Sequence, residues 1–450
     1  MPSTGTLIEA RWVVPVRPRA RVLEGHAVVL EQDRIADILP AAQARQRYPQ
    51  ARRLSLERHA LIPGLVNAHA HCAMALLRGV GDDLTLDQWL QRRVWPLERA
   101  IVGPEFVYDG TRLAALEMLR AGVTCCNEMY FYPAEAVQGL RSVGLRAAVG
   151  IVTIDFPTRY AKDADEYLRQ GLTARDAALD DPRVSFTLAP HAPYTVSDAT
   201  MRRTVALAEE LDLPLHIHVH ETAREIDESV SQHGVRPLER LDRLGVVSER
   251  LIAVHATHLT MPEIELLARR GASVAHCPTS NLKLACGVAP VAELLQAGAG
   301  VAIGTDGAAS NNRLDVLREA NLAALLAKGR SQDACVLPSW AALECATLGG
   351  ARALGLEARV GTIEIGKEAD LAALDLGGAE SQPCHDVISQ IIYCAGRESV
   401  THVWVAGEAL LAERRVVRPG EGDLEQEVMQ AAAPWQNQIR QRLRELALGA

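Results

Sequence analysis

What the 450-residue chain lacks excludes several kinds of chemistry at once. Its nine cysteines are odd in number, irregularly spaced and never arranged as C-x-x-C, which argues against a disulfide framework and a zinc knuckle. Reduced thiols in the cytoplasm are expected instead. No uncharged apolar run approaches the ~18 residues of a membrane helix. The opening, Met1-Pro-Ser-Thr-Gly-Thr-Leu7, has no basic region ahead of an apolar stretch, and Glu9 interrupts the residues after it, so no secretory signal is expected. There is no basic block either. With 47 basic and 56 acidic residues the net charge is −9, which argues against a nucleic-acid coat. Also missing are a GxGxxG after the first strand, a GxxxxGK followed by Ser or Thr, and a GxSxG, the signatures of nucleotide folds and serine hydrolases.

What is present suits a large soluble enzyme. The chain is 48% hydrophobic and 23% charged, enough to build a sizeable core, and its length implies two or three units or one α/β barrel with additions. Residues 5–60 read as short strands and turns, with Leu7–Val16 and Val22–Asp33 punctuated by Pro15, Pro18 and Gly25. From residue 61 to 355, short apolar runs alternate with helix-like stretches. The runs are Val123–Cys126, Ala147–Thr153, Val184–Ala189, Leu215–Val219, Leu251–Val254, Ser273–Ala275 and Gly300–Ile303; the helices include Phe106–Arg120, Asp198–Leu211 and Met261–Arg270. Such alternation predicts a parallel sheet, and about eight repeats predict a closed (β/α)₈ barrel. After residue 355 the short strands return, with Ser399–Val405 and Glu408–Arg414 as a hairpin. The expected organisation is therefore a small β-sandwich-like domain from both chain ends (1–60 and 356–420), a catalytic barrel (61–355) and a terminal helix (421–450).

Polar residues at strand ends decide for the barrel, because catalytic groups converge there. Ten of the fourteen histidines lie between residues 69 and 276. His69-Ala-His71 comes directly after the strand ending at Asn67, and residues i and i+2 of extended backbone project to one side, so two imidazoles can share a cation. The run His216-Ile-His218-Val-His220-Glu221 places three histidines on one face by parity, which does not say which of them binds metal. Glu221, at the strand end, is suited to proton transfer. His255 ends the next apolar strand, with His258 as the alternative. Asp306 ends Val301-Ala-Ile-Gly-Thr-Asp306, where it could also be a helix N-cap. Mixed nitrogen and oxygen donors suit a catalytic zinc, with iron the harder fit.

These segments, together with Pro63-Gly-Leu-Val-Asn67, Pro190-His191-Ala-Pro-Tyr194, His276-Cys-Pro-Thr-Ser-Asn281 and Gly304-Thr-Asp306-Gly307, resemble the amidohydrolase superfamily. The closer likeness is to the branch that deaminates 5′-methylthioadenosine and S-adenosylhomocysteine, and it runs through almost the whole chain. The resemblance implies one divalent metal, Zn²⁺ first and Fe²⁺ as second choice, held by His69, His71, His218 and Asp306. His255 would contact the metal's water, and no position for a carboxylated lysine is apparent. It further implies catalytic roles for Glu221, His255 and Asp306. Substrate contacts would come from Trp89, Glu98 and His191, with Glu98 on the ribose hydroxyls and Trp89 along the 5′ side. Without the resemblance, Trp89 and Glu98 would read as a core aromatic and a surface acid of an ordinary helix.

The implied reaction is hydrolysis of a C–N bond of a cyclic amidine. Asp306 would take a proton from the attacking water while Glu221 protonates the adenine ring, giving the inosyl product and ammonia. Members of the branch that handle both substrates carry two arginines for the amino-acid tail, one near the end of the third barrel strand and one in the loop after it. Here only Arg159 offers such a contact, so 5′-methylthioadenosine is expected to be preferred over S-adenosylhomocysteine or adenosine. A deaminase or chlorohydrolase of another ring (guanine, cytosine or triazine) would share the metal site but not depend on Glu98. A hydantoinase-like ring opener would need a bridging lysine, and a non-catalytic scaffold would be expected to lose ligands that are all present. A homo-oligomer acting on a small nucleoside is expected, without nucleic-acid or membrane partners.

Overall fold

The computed structural model describes residues 5–417 and 422–448. The remaining positions of the expected terminal segments (1–4, 418–421, 449 and 450) lie outside the described residues, and with them the first residues of the opening that carries no expected secretory signal. Sixteen strands are described, in two eight-stranded sheets.

One sheet is built from both chain ends. It contains β1 (Thr6–Val13), β2 (Leu23–Glu31), β3 (Arg34–Pro40), β4 (Arg52–Pro63) and four strands from far along the chain. The other sheet holds β5 (Leu65–Ala70), β6 (Val123–Glu128), β7 (Arg146–Thr153), β8 (Val184–Pro190), β9 (Leu215–Val219), β10 (Leu251–His255), β11 (Ser273–His276) and β12 (Gly300–Ile303). The later strands of the first sheet are β13 (Leu371–Asp375), β14 (Val400–Val405), β15 (Glu408–Ala412) and β16 (Arg415–Val416).

Order in the first sheet is β16-β15-β14-β13-β4-β1-β2-β3, mostly antiparallel with β1 and β4 parallel. Period-2 patterning explains its two apolar faces: Ile8, Val28 and Leu30 pack with Leu371 and Trp404 on one side, while Leu7, Ala27 and Val29 pack with Leu39 and Ala44 on the other. The expected hairpin is β14 against β15. This sheet lies in a compact unit of Met1–Asn67, Glu117–Cys125 and Asp315–Glu421.

Strands β5 to β12 neighbour one another in chain order, as a (β/α)₈ barrel requires. Every residue of β5, β6, β7, β9 and β10 is buried, the mark of parallel strands covered on both faces. At the catalytic end, the backbone amides of Thr305 and Asp306 donate to the His69 carbonyl, at 3.1 and 3.0 Å, tying the segment after β12 to β5. A second compact unit comprises Ala68–Leu116, Cys126–Leu314 and Gly422–Ala450, and every residue of the active site belongs to it. The terminal helix runs from Leu424 to Leu448. Among the described residues no helix is long and apolar enough to cross a membrane.

Candidate active site and metal centre

Five side chains from four strand ends meet at one point. His69 Nε2 lies 3.3 Å from His218 Nε2 and 3.4 Å from Asp306 Oδ1, and His71 Nε2 is 3.3 Å from the same oxygen. Donor atoms of His69, His71 and Asp306, and of His69, His218 and His255, fall within 4.8 Å of one another in each set. Around a zinc ion with bonds of about 2.0–2.1 Å, tetrahedral donors stand about 3.3–3.4 Å apart, so these spacings fit a single ion.

The rings are aimed by their outer nitrogens. His71 Nδ1 donates to the Met129 carbonyl at 2.5 Å and His218 Nδ1 to the His191 carbonyl at 2.7 Å, which leaves each Nε2 lone pair facing inward. His69 Nδ1 lies 2.9 Å from His216 Nε2. Burial pushes His69 down to about 4 and His218 well below the ordinary imidazole range, so both are neutral, as a metal ligand must be. Asp306 Oδ2 accepts the hydroxyls of Ser280 (2.5 Å) and Ser310 (2.7 Å), while Oδ1 accepts the Gly307 amide. Burial alone would raise Asp306, but the hydrogen bond to His69 and the neighbouring His71 and His255 outweigh it and hold the carboxyl well below its usual range.

Glu221 behaves oppositely. Burial raises it, only partly offset by His255, whose Nε2 lies 3.5 Å from Glu221 Oε1. The other nitrogen of His255, Nδ1, is held at 2.8 Å by Asn281 Oδ1. Both carboxyls line a cavity of about 380 Å³ together with Trp89, Glu98, Tyr130, Arg99, Arg159 and His191. Glu98 accepts the Tyr130 hydroxyl at 2.8 Å, and burial pushes it up to about 7. Trp89 is buried, with its indole N–H on the Val80 carbonyl. His191 Nδ1 lies 3.2 Å from Thr195 Oγ1. Arg159 is exposed and its guanidinium donates to the Ala100 carbonyl at 2.7 Å.

The structure thus brings every sequence-named residue to this cavity or to the His–Asp cluster at its end, and separates the alternatives. His216 stands behind His69, and His220, beyond the end of β9, accepts the Leu238 amide at 3.0 Å. His258 bonds the Cys286 carbonyl at 2.7 Å, away from the cluster. Sequence reading missed Tyr130, Asn281, Ser280, Ser310 and the second arginine, Arg99. Ser280 and Asn281 stand within the His276–Asn281 motif, which was a usable signal; Tyr130 and Arg99 carried none.

The model of the amidohydrolase family matches residues 60–410. The chain belongs to that family. Among its relatives is a 5-methylthioadenosine/S-adenosylhomocysteine deaminase of Teredinibacter turnerae, 41% identical over 98% of this chain and 99% of the relative. An adenosine deaminase of Xanthomonas campestris, solved with bound zinc, superposes with a TM-score of 0.94 at 52% identity, covering 97% of this chain and 98% of that one. Atrazine chlorohydrolase from Arthrobacter aurescens, solved with zinc, reaches 0.87 at 24% identity over 96% and 100%, a likeness of fold alone. For this amidohydrolase, the donor set is that of a mononuclear zinc-type centre, and no lysine lines the cavity among the described residues.

Proposed function

We propose that this amidohydrolase deaminates the adenine ring of 5′-methylthioadenosine, and less efficiently of S-adenosylhomocysteine and adenosine. The observation that carries the reading is one cavity with the His–Asp centre at one end and Glu98, braced by Tyr130, in its wall. A paired acidic acceptor suits vicinal ribose hydroxyls, which guanine, cytosine and triazine rings lack. Full-length relatives named as deaminases of these nucleosides support the same choice.

His69, His71, His218 and Asp306 would hold the ion. When bound, it supplies Lewis acidity and brings a water's pKa toward ~7. Asp306, kept ionised, accepts a proton from the water that attacks C6. Glu221, raised by burial, would give a proton to the ring nitrogen; Asp306 would then return its proton to the C6 amino group, which leaves as ammonia while Glu221 takes back the proton of the new hydroxyl and C6=O forms. Two carboxyls pushed in opposite directions are the arrangement such acid and base steps need. His255, oriented by Asn281, would steady the attacking water, and His191 and Trp89 would flank the purine and the 5′ group.

We also propose that residues 61–355 are the catalytic part and that 1–60 and 356–420 form its companion domain. In support, β5 to β12 come from the middle of the chain and the mixed sheet from its ends. Assembly as a homo-oligomer in the cytoplasm belongs to the same proposal; nine free thiols suit a reducing compartment. The deciding experiment is ammonia release by the zinc-loaded protein from methylthioadenosine, S-adenosylhomocysteine, adenosine, guanine and cytosine. Turnover on a free base above that on the nucleosides would overturn the reading.

A further inference from the structure

Glu221 lies two residues beyond the end of β9, on a turn whose preceding residue, His220, has left-handed backbone (φ 54°). That turn is gripped from both sides. Glu225 Oε1 accepts the His220 amide at 2.9 Å, and its Oε2 accepts the Glu221 amide at 2.8 Å. Opposite, Thr257 Oγ1 lies 2.9 Å from the His220 carbonyl and 2.9 Å from the Glu221 carbonyl, its single hydroxyl proton shared between them. The Thr257 amide also donates to the His220 carbonyl, at 3.0 Å.

Local sequence makes this arrangement distinctive. Thr222-Ala-Arg-Glu225 has the form of a helix capping box, and Thr222 does cap the helix Ala223–His233, its hydroxyl accepting the Glu225 amide at 3.2 Å. In an ordinary box the glutamate returns to the amide of the capping residue, as Glu263 does to Thr260 at 2.8 Å. Glu225 instead reaches past Thr222 to the two preceding amides. Capping the helix does not require that reach; fixing the peptide that carries Glu221 does. Both Glu225 and Thr257 are buried, and neither lines the substrate cavity.

We propose that Glu225 and Thr257 are positioning residues, a two-sided clamp that holds the His220–Glu221 peptide in its left-handed turn and keeps the Glu221 carboxyl facing His255. The inference rests on Glu221 being the proton donor. Glu225→Gln exchanges one acceptor oxygen for an amino group facing an amide, and Thr257→Val removes the hydroxyl while keeping the shape. In zinc-loaded protein each should lower kcat by ~10–10²-fold, the scale of a small misplacement of a reacting group, with KM and zinc content little changed. Thr257→Ser should restore most of the loss seen in Thr257→Val. Added to Glu221→Gln, either change should lower kcat no further, because residues acting through one group are not additive. Unchanged kcat in both single variants, or losses that multiply in the Glu221→Gln background, overturns the clamp. Near wild-type turnover of Glu221→Gln itself instead overturns the assignment of Glu221, so the two failures are distinguishable.

Discussion

At the scale of single residues, the site works by setting like groups apart. Glu221 and Asp306 are both buried carboxyls, yet one is raised and the other held low by what each touches. Glu221→Gln should keep zinc but lower kcat by about 10²–10⁴-fold, the usual loss of a general acid–base; zinc analysis and steady-state kinetics check both halves. Glu98, pushed up to about 7, would accept ribose hydroxyls best once ionised. As pH falls through about 7 the carboxylate takes a proton and kcat/KM for nucleosides should fall; in Glu98→Gln that limb should flatten. The two arginines in the wall, Arg99 and Arg159, are both exposed. An ion pair there with the tail carboxylate of S-adenosylhomocysteine gains about 0–1 kcal/mol, so Arg159→Ala should shift the preference between the two thionucleosides only up to about fivefold. Wild type favouring S-adenosylhomocysteine in kcat/KM would show that the solvated arginines do more than this.

At the scale of elements, the strand ends depart from regular strand geometry. His220, His255 and Asp306 all have positive φ (54°, 71° and 60°), a conformation that costs a non-glycine residue about 1–3 kcal/mol and persists only where neighbours impose it. This explains why parity could not choose among His216, His218 and His220. Alternation holds through β9, placing His216 and His218 on the interior, and fails at His220, where the left-handed turn swings the ring toward the Leu238 amide. Where β12 approaches β5, a Cβ on Gly304 would stand 2.9 Å from Cys277 Sγ and 3.0 Å from both the amide nitrogen and Cβ of His69. Gly304→Ala should therefore displace His69 and weaken zinc binding by about 10–100-fold, the range for losing support of a ligand; titration with a competing chelator measures it.

At the scale of the whole molecule, the barrel keeps several imidazoles dry. His276 is fully buried with no hydrogen-bond partner on either ring nitrogen among the described residues, and burial pushes it down to about 3. A histidine whose folded pKa is depressed binds its proton more readily when unfolded, so its contribution is intact above about 6.5 and is lost as pH falls toward about 3. Urea unfolding of zinc-free protein should accordingly show stability falling over that window, by up to ~1.4 kcal/mol per pH unit for each such group. The candidate zinc donors converge only when the strand ends do, so chelation should abolish turnover and lower Tm, and one equivalent of zinc should restore both; a need for two equivalents would contradict the mononuclear site.

The alternation of apolar runs with amphipathic stretches determined the barrel, since each run is long enough for one strand and each interval for one crossover helix. The H-x-H, His, His and Asp at successive run ends marked the candidate metal centre for the same reason, since a parallel barrel brings those ends to one face, while the choice of His218 within its run came from the family resemblance. Pairings across the barrel were not legible. Tyr130 on Glu98, Asn281 on His255 and Ser280 on Asp306 join residues from 26 to 32 positions apart, at distances set by strand tilt and loop path rather than by any local pattern. Arg99 joined Arg159 at the cavity because its helix lies across the loop after β7, where Arg159 reaches the Ala100 carbonyl. Periodicity records which face a side chain takes within its own element. Which side chain from another element stands opposite it is decided only when the elements pack.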